Sequence, residues 1–300
     1  MKIGALEAGG TKMVMGIFSR EGERLAEHTI PTLTPRETMP QMQAFFAEHD
    51  VDALGVAGFG PLDLSRSSPT YGYITSTPKL AWQNYPLLRE LSGGQNLPCA
   101  IDTDVNSAVL AEMKLGAAMG LQSAAYVTVG TGIGAGICVE GQLVHGLMHP
   151  EVGHMLLRPH PEDSNPKGVC PYHNGCLEGV ASGPAIDARI NGDARILADD
   201  DPTFDIEAYY LAQMCVNLIL TASPQRIILG GGVMKRKVLY DKVRRETVGL
   251  LNGYVRHAAI LVKIHEYIVS PKLFPVSGLI GAYLLGLRAY DEKSEFFGKR

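Results

Sequence analysis

The sequence predicts an α/β protein of two lobes, and three observations carry that prediction. Two glycine-threonine turns each join a pair of short strands. Gly9-Gly10-Thr11-Lys12 lies between strands at residues 3–8 and 13–18, and Gly130-Thr131-Gly132-Ile133-Gly134-Ala135-Gly136 lies between strands at 125–129 and 137–139. Strand–helix alternation follows the first turn and restarts after the second. A chain of 300 residues is long enough for two domains with their own cores. Glycine-rich turns bring bare backbone N–H groups up to phosphate oxygens, because no Cβ blocks the approach. Neither turn opens a helix, so neither is a P-loop or a GxGxxG dinucleotide turn. Two such hairpins point to a nucleotide clamped between two lobes.

The remaining elements follow in order. Residues 40–48 read as a helix and 51–58 as a buried strand ending in Gly58-Phe59-Gly60-Pro61, whereas 62–80 are irregular. A short strand at 99–102 leads into a helix over 104–115, with Gly116 as its stop. Residues 141–178 form a long insertion of little periodicity, and such loops in compact proteins usually carry function. A helix at 206–221, a strand at 226–229, Gly230-Gly231-Gly232 and an apolar helix at 277–290 complete the chain. The expected lobes are 1–117 and 118–283, with the C-terminal helix, 284–300, packing on the first and the loop 151–178 inserted in the second. A glycine hairpin at the start of each half suggests duplicated architecture.

Composition narrows the class. Hydrophobic residues make up 46% and charged residues 19%, the balance of a globular protein. A net charge of −4 with no long basic stretch gives no sign of nucleic-acid binding. No apolar run reaches the roughly 18 residues needed to span a bilayer. The chain opens directly on a strand, without a signal peptide, so a cytoplasmic location is the expectation. Among the cysteines, Cys99, Cys138 and Cys215 lie singly in apolar runs and read as core. Cys170 and Cys176 share a polar loop, a pattern more often metal-binding than disulfide-forming in the cytosol.

Two constellations bear chemistry. Asp102-Thr103-Asp104 stands at a strand-to-helix junction, where Asp and Thr serve as N-caps. The alternative makes Asp104 a general base that takes a hydroxyl proton during phosphoryl transfer. In the second, Cys170-Pro171-Tyr172-His173-Asn174-Gly175-Cys176 and the upstream His154 supply two thiolates and two imidazoles. That set matches a closed, structural, tetrahedral zinc site; the other reading is unrelated thiols beside exposed histidines. Glu151 and Glu178 flank these ligands, either as surface charges or as acceptors for sugar hydroxyls. Glu7, before the first turn, is a strand-end charge or a magnesium ligand. Gly230-Gly231-Gly232 is a tight turn or a flat surface for adenine, and Lys12 faces a phosphate or solvent.

Together these segments resemble the ROK family of repressors, open reading frames and sugar kinases, across essentially the whole chain. Leu6-Glu7-Ala8-Gly9-Gly10-Thr11-Lys12 resembles its first phosphate motif, with Glu7 where many members have Asp, and residues 128–136 resemble the second. Ile101-Asp102-Thr103-Asp104-Val105-Asn106 resembles the D-N-D-x-N segment, which implies Asp104 as catalytic base; Thr103 stands where the usual Asn contacts sugar. Glu151-Val152-Gly153-His154 matches E-x-G-H and Gly175-Cys176-Leu177-Glu178 matches G-C-L-E. The resemblance implies an actin-like, hexokinase-like ATPase fold with a zinc-stapled insertion in the second lobe. It implies sugar contacts at Gly60, Thr103, Asp104, Glu151, His154 and Glu178, and zinc at His154, Cys170, His173 and Cys176. For ATP it implies Gly9, Gly10, Thr11, Lys12, Thr131, Gly132, Gly134, Ser182, Pro184, Gly230, Gly231, Gly232, Val233 and Met234. The usual C-x-C-x₄-C loop is replaced here by one that supplies His173, which with Glu7, Thr103 and Thr77-Pro78-Lys79-Leu80-Ala81-Trp82 is similar to the bacterial fructokinase branch.

The resemblance therefore implies a magnesium-ATP-dependent hexose kinase, with fructose favoured, and a homodimer. Glucose, mannose or an N-acetylhexosamine are the alternative acceptors. A sugar-responsive repressor is a further alternative, but the first hairpin begins at Ile3 without a preceding helix-turn-helix. A non-catalytic sensor would not need Asp104 and both phosphate turns.

Overall fold

Two five-stranded sheets with the same strand order organise the computed structural model, which describes residues 1–93 and 97–298. The chain divides into two compact units, one comprising Met1–Ala111, Val144–His149 and Pro275–Arg300, the other Glu112–Leu143 and Pro150–Phe274. The sequence placed these divisions at 117/118 and 283/284. The first falls earlier because the Glu112 carboxylate accepts hydrogen bonds from the backbone of Ala117, Lys272 and Leu273, all in the second unit.

In the first unit, β1 (Lys2–Ala8), β2 (Lys12–Ser19) and β3 (Arg24–Pro31) form an antiparallel meander. Helix α1 (Pro35–His49) leads to β4 (Ala53–Gly58), and the short α2 (Leu87–Leu91) to β5 (Cys99–Thr103). These two strands join β1 in parallel, giving the order β3-β2-β1-β4-β5. Helix α1 begins five residues before the expected start. Pro35 occupies its first turn, where a missing N–H costs nothing, and the Thr34 N–H is held by Glu37 Oε2 at 3.1 Å. The interior Pro40 gives up a hydrogen bond without ending the helix.

The sheet is mixed, and both faces of its central strands are buried. Leu6, Met13, Met15, Leu54, Val56 and Ile101 pack with Trp82 and α1 on one face. Ile3, Ala5, Phe18, Ala53 and Ala57 meet Leu279, Ala282 and Tyr283 of the C-terminal helix (Ser277–Gly298) on the other. That helix lies close against the sheet because Gly55 presents no side chain: a Cβ there would stand 1.8 Å from the Ala282 carbonyl oxygen.

The second unit repeats the plan. Helix α3 (Asp104–Leu115), most of which belongs to the first unit, leads to the hairpin of β6 (Ala124–Val129) and β7 (Ile133–Val139), extended by β8 (Gln142–Leu143). After the insertion come α4 (Leu177–Ala181), α5 (Gly183–Ile190) and α6 (Thr203–Thr221), then β9 (Ile227–Gly230), α7 (Val238–Leu251) and β10 (Ile268–Val269). The order β8-β7-β6-β9-β10 matches that of the first sheet, with β9 and β10 parallel to β6. No helix is long and apolar enough to cross a membrane among the described residues.

Candidate active site

Each glycine turn sits between the first two strands of its sheet. In the first unit, the Gly9 N–H donates to the Lys12 carbonyl at 2.9 Å, closing the turn, and a Cβ on Gly9 would lie 2.8 Å from that oxygen. The Thr32 hydroxyl donates to the Gly9 carbonyl at 2.7 Å, which leaves Gly10, Thr11 and Lys12 exposed at the tip. Glu7 lies at the end of β1 beside Gly278. Burial, and then the Asp104 charge, push its carboxyl up to about 7, partly offset by Lys12 and the Leu279 backbone.

Asp104 opens α3 directly after β5. Its Oδ1 accepts from the Val105 N–H at 2.9 Å, and burial pushes the carboxyl up to about 6. The Thr103 hydroxyl accepts from the Asn106 N–H at 3.0 Å, so the capping role falls to Thr103. Asp104 is thereby left as a carboxylate poised near neutral pH, the property of a general base. Asp102 is buried, and its Oδ1 accepts from the Thr103 N–H at 2.8 Å and from Asn106 Nδ2 at 2.7 Å. Gly60 is half-buried in the loop after β4.

In the second unit the β6–β7 turn is gripped from several sides. Strand β7 begins at Ile133, four residues earlier than expected, because Val129 pairs with Ile133 and the Gly130 N–H donates to the Gly132 carbonyl at 2.9 Å. The Gly183 N–H reaches the Gly130 carbonyl at 2.8 Å. Glu178 Oε2 accepts from the Ile133 N–H at 2.9 Å. Gly231, at φ +91°, packs so closely that a Cβ would stand 2.3 Å from the Val129 carbonyl oxygen. The structure thus brings together Gly132, Glu178, Gly183 and Gly231, and leaves Thr131 exposed. Ser182 is buried and its hydroxyl accepts from the Ala185 N–H at 3.3 Å, capping α5, while Pro184 is exposed. Gly134 and Val233 are half-buried, Gly232 is exposed and Met234 is buried. An open cavity of about 520 Å³ lies beside the glycine run after β9, lined by Gly230, Gly231, Met234, Tyr240, Pro271 and Phe274 among others.

The insertion gathers His154, Cys170, His173 and Cys176, whose ligand atoms all lie within 4.8 Å of one another. Cys170 Sγ is 3.8 Å from His154 Nδ1 and 3.7 Å from His173 Nδ1, and Cys176 Sγ is 3.8 Å from His154 Nδ1. A tetrahedral zinc with ordinary Zn–S and Zn–N bonds would set such edges at about 3.6 Å. The donor set and spacing therefore fit that ion. Glycines tighten the loop: Gly168, at φ +73°, lies against Gly179 of α4, where a Cβ would meet the carbonyl oxygen at 2.2 Å. Glu151 is exposed.

The ROK family model matches residues 3–289. The chain belongs to the ROK family. This ROK chain is 40% identical over 289 residues to a fructokinase of Pediococcus pentosaceus, covering 96% of this chain and 99% of that one. It is 28% identical over 276 residues to a glucokinase of Halalkalibacterium halodurans, covering 77% and 80%. Among solved structures it is similar to the ROK hexokinase of Thermus thermophilus, with a TM-score of 0.75, 27% identity and coverage of 98% and 100%.

Two features of this ROK protein's site were missed in the sequence. Gly183, between the expected ATP residues Ser182 and Pro184, holds the second turn through its backbone N–H. His145, in the insertion, has its Nε2 2.9 Å from Asp102 Oδ2. The signal for it was His145 and His149, spaced four apart just ahead of the E-x-G-H motif.

Proposed function

We propose that this ROK protein, an ATP-dependent sugar kinase, is a fructokinase that transfers the γ-phosphoryl of ATP to the 6-hydroxyl of D-fructose. The observation that carries the reading is Asp104: a carboxylate at a helix start, held near pKa 6 by burial and free of the capping task that Thr103 performs. Asp104 accepts the 6-hydroxyl proton as that oxygen attacks the γ-phosphorus. The backbone N–H groups of the two glycine turns hold phosphate oxygens, so catalysis rests on positioning and electrostatics. Magnesium would accompany ATP and neutralise charge on its phosphates. Glu7 is the residue to hold it, since a cation there would relieve the repulsion between Glu7 and Asp104.

The cavity beside Gly230 and Gly231 receives the nucleoside in this reading. Zinc is held by His154, Cys170, His173 and Cys176 as a closed structural site that fixes the segments carrying Glu151 and Glu178, with Glu151, His154, Glu178, Gly60 and Thr103 as sugar contacts. A homodimer belongs to the same reading. Fructose is favoured over glucose by the 40% identity to a fructokinase against 28% to a glucokinase. Coupled ADP release, measured across fructose, glucose, mannose and N-acetylhexosamines, tests the assignment. The highest kcat/KM is expected for fructose; a higher value for another hexose overturns the substrate, and no sugar-dependent ADP release overturns the kinase reading.

A further inference from the structure

The segment Val144–His149 leaves β8, belongs to the first unit, and is tied to it at both ends by histidine. His149 is buried and its Nε2 accepts from the Leu62 N–H at 3.0 Å, two residues past Gly60. His145 Nε2 meets Asp102 Oδ2 at 2.9 Å, and the Gly146 N–H donates to the Met148 carbonyl at 3.0 Å, folding the strap between the two anchors. Asp102 is 4% exposed, and its other oxygen is occupied by Thr103 and Asn106. The His145 imidazole is thus the partner that the structure gives Asp102 Oδ2. The Asp102 hydrogen bond raises the His145 pKa, which favours the cation.

A buried carboxylate oxygen that loses its hydrogen-bond donor is costly, and the side chain relieves the cost by moving toward another donor. Asp102 accepts from the backbone of Thr103, and Asp104 is the next residue. Any shift of the Asp102 side chain therefore acts on the β5–α3 turn. We propose that His145 is a positioning residue for phosphoryl transfer: it completes the clamp on Asp102 and so fixes the turn that carries Asp104. The inference rests on the reading of Asp104 as the acceptor base.

The test compares His145→Ala, His145→Phe and His145→Gln with Asp104→Asn in steady-state kinetics with fructose and ATP. ADP binding by calorimetry supplies the fraction of competent protein. Misplacing a catalytic group by about 1 Å costs about 100-fold in rate, so the Ala and Phe variants should lose about 10- to 100-fold in kcat per competent site. Their KM for fructose should change by less than about threefold, because the proposed contacts Glu151, His154 and Glu178 lie outside the β5–α3 turn. His145→Gln, which still offers a donor to Asp102, should recover kcat to within about fivefold of wild type. Loss of kcat in Asp104→Asn with less than about twofold loss in His145→Ala and His145→Phe overturns the positioning role alone. Equal loss in the Gln and Ala variants also overturns it, because the donor would not matter. Near-normal kcat in Asp104→Asn overturns the base assignment on which the inference rests.

Discussion

The Glu178 carboxylate accepts a 2.9 Å hydrogen bond from the Ile133 backbone N–H, at the start of β7. Glu178 lies two residues past Cys176, so a proposed zinc ligand and the second glycine turn are linked through the first turn of α4. A hydrogen bond to a charged group contributes about 1.5–3 kcal/mol. Glu178→Ala should lower stability to urea by about that amount and raise the KM for ATP as well as for the sugar. An unchanged KM for ATP would mean that this bond does not hold the turn.

The metal prediction is separable. Purified protein should carry zinc by elemental analysis, and Cys176→Ala should lose it with a fall in Tm and a rise in the KM for the sugar. Zinc-free protein with full activity and unchanged Tm would contradict the assignment.

Gly231 is constrained by both conformation and contact: φ is +91°, and a Cβ would stand 2.3 Å from the Val129 carbonyl oxygen. The left-handed conformation alone costs a side chain roughly 1–2 kcal/mol, and the backbone clash adds to it. Gly231→Ala should therefore unfold at clearly lower denaturant. Gly232 has open space around its Cβ position, so Gly232→Ala should stay within about 0.5 kcal/mol of wild type. Equal effects at both positions would contradict the close packing of the turn.

Burial raises the carboxyl of Asp104 from 3.8 to about 6 and that of Glu7 from 4.5 to about 7. A raised carboxyl contributes stability that is fully present below its unfolded pKa and is lost as pH rises through its folded value. Asp104→Asn should then raise Tm at pH 8, where wild type buries a charge, and the gain should vanish near pH 4. The same Tm difference at both pH values would show that burial of the charge is not the cause.

Much of the fold could be read because its signals are local. The glycine turns, the buried strand before Gly58 and the helix beginning at Asp104 each depend on residues close in sequence, and each formed within a few positions of expectation. The strand Arg24–Pro31 was missed because most of it is exposed at a sheet edge, which gives it little apolar periodicity. The gathering of His154, Cys170, His173 and Cys176 was legible from ligand chemistry, since three of the four lie within seven residues. The Asp102–His145 pair was not, because 43 residues separate its partners and only the fold brings them together. Gly183 was hidden for a related reason: its contribution to the second turn is a backbone N–H, which sequence does not mark.

Asp104 is the proposed acceptor of the sugar's proton, and kcat of Asp104→Asn with fructose and ATP is the decisive test of that role. Removing a general base should lower kcat by about 10²–10⁴-fold while the variant folds and binds fructose with an affinity close to wild type. A variant that folds, binds sugar and turns over at a near-normal rate would contradict the account.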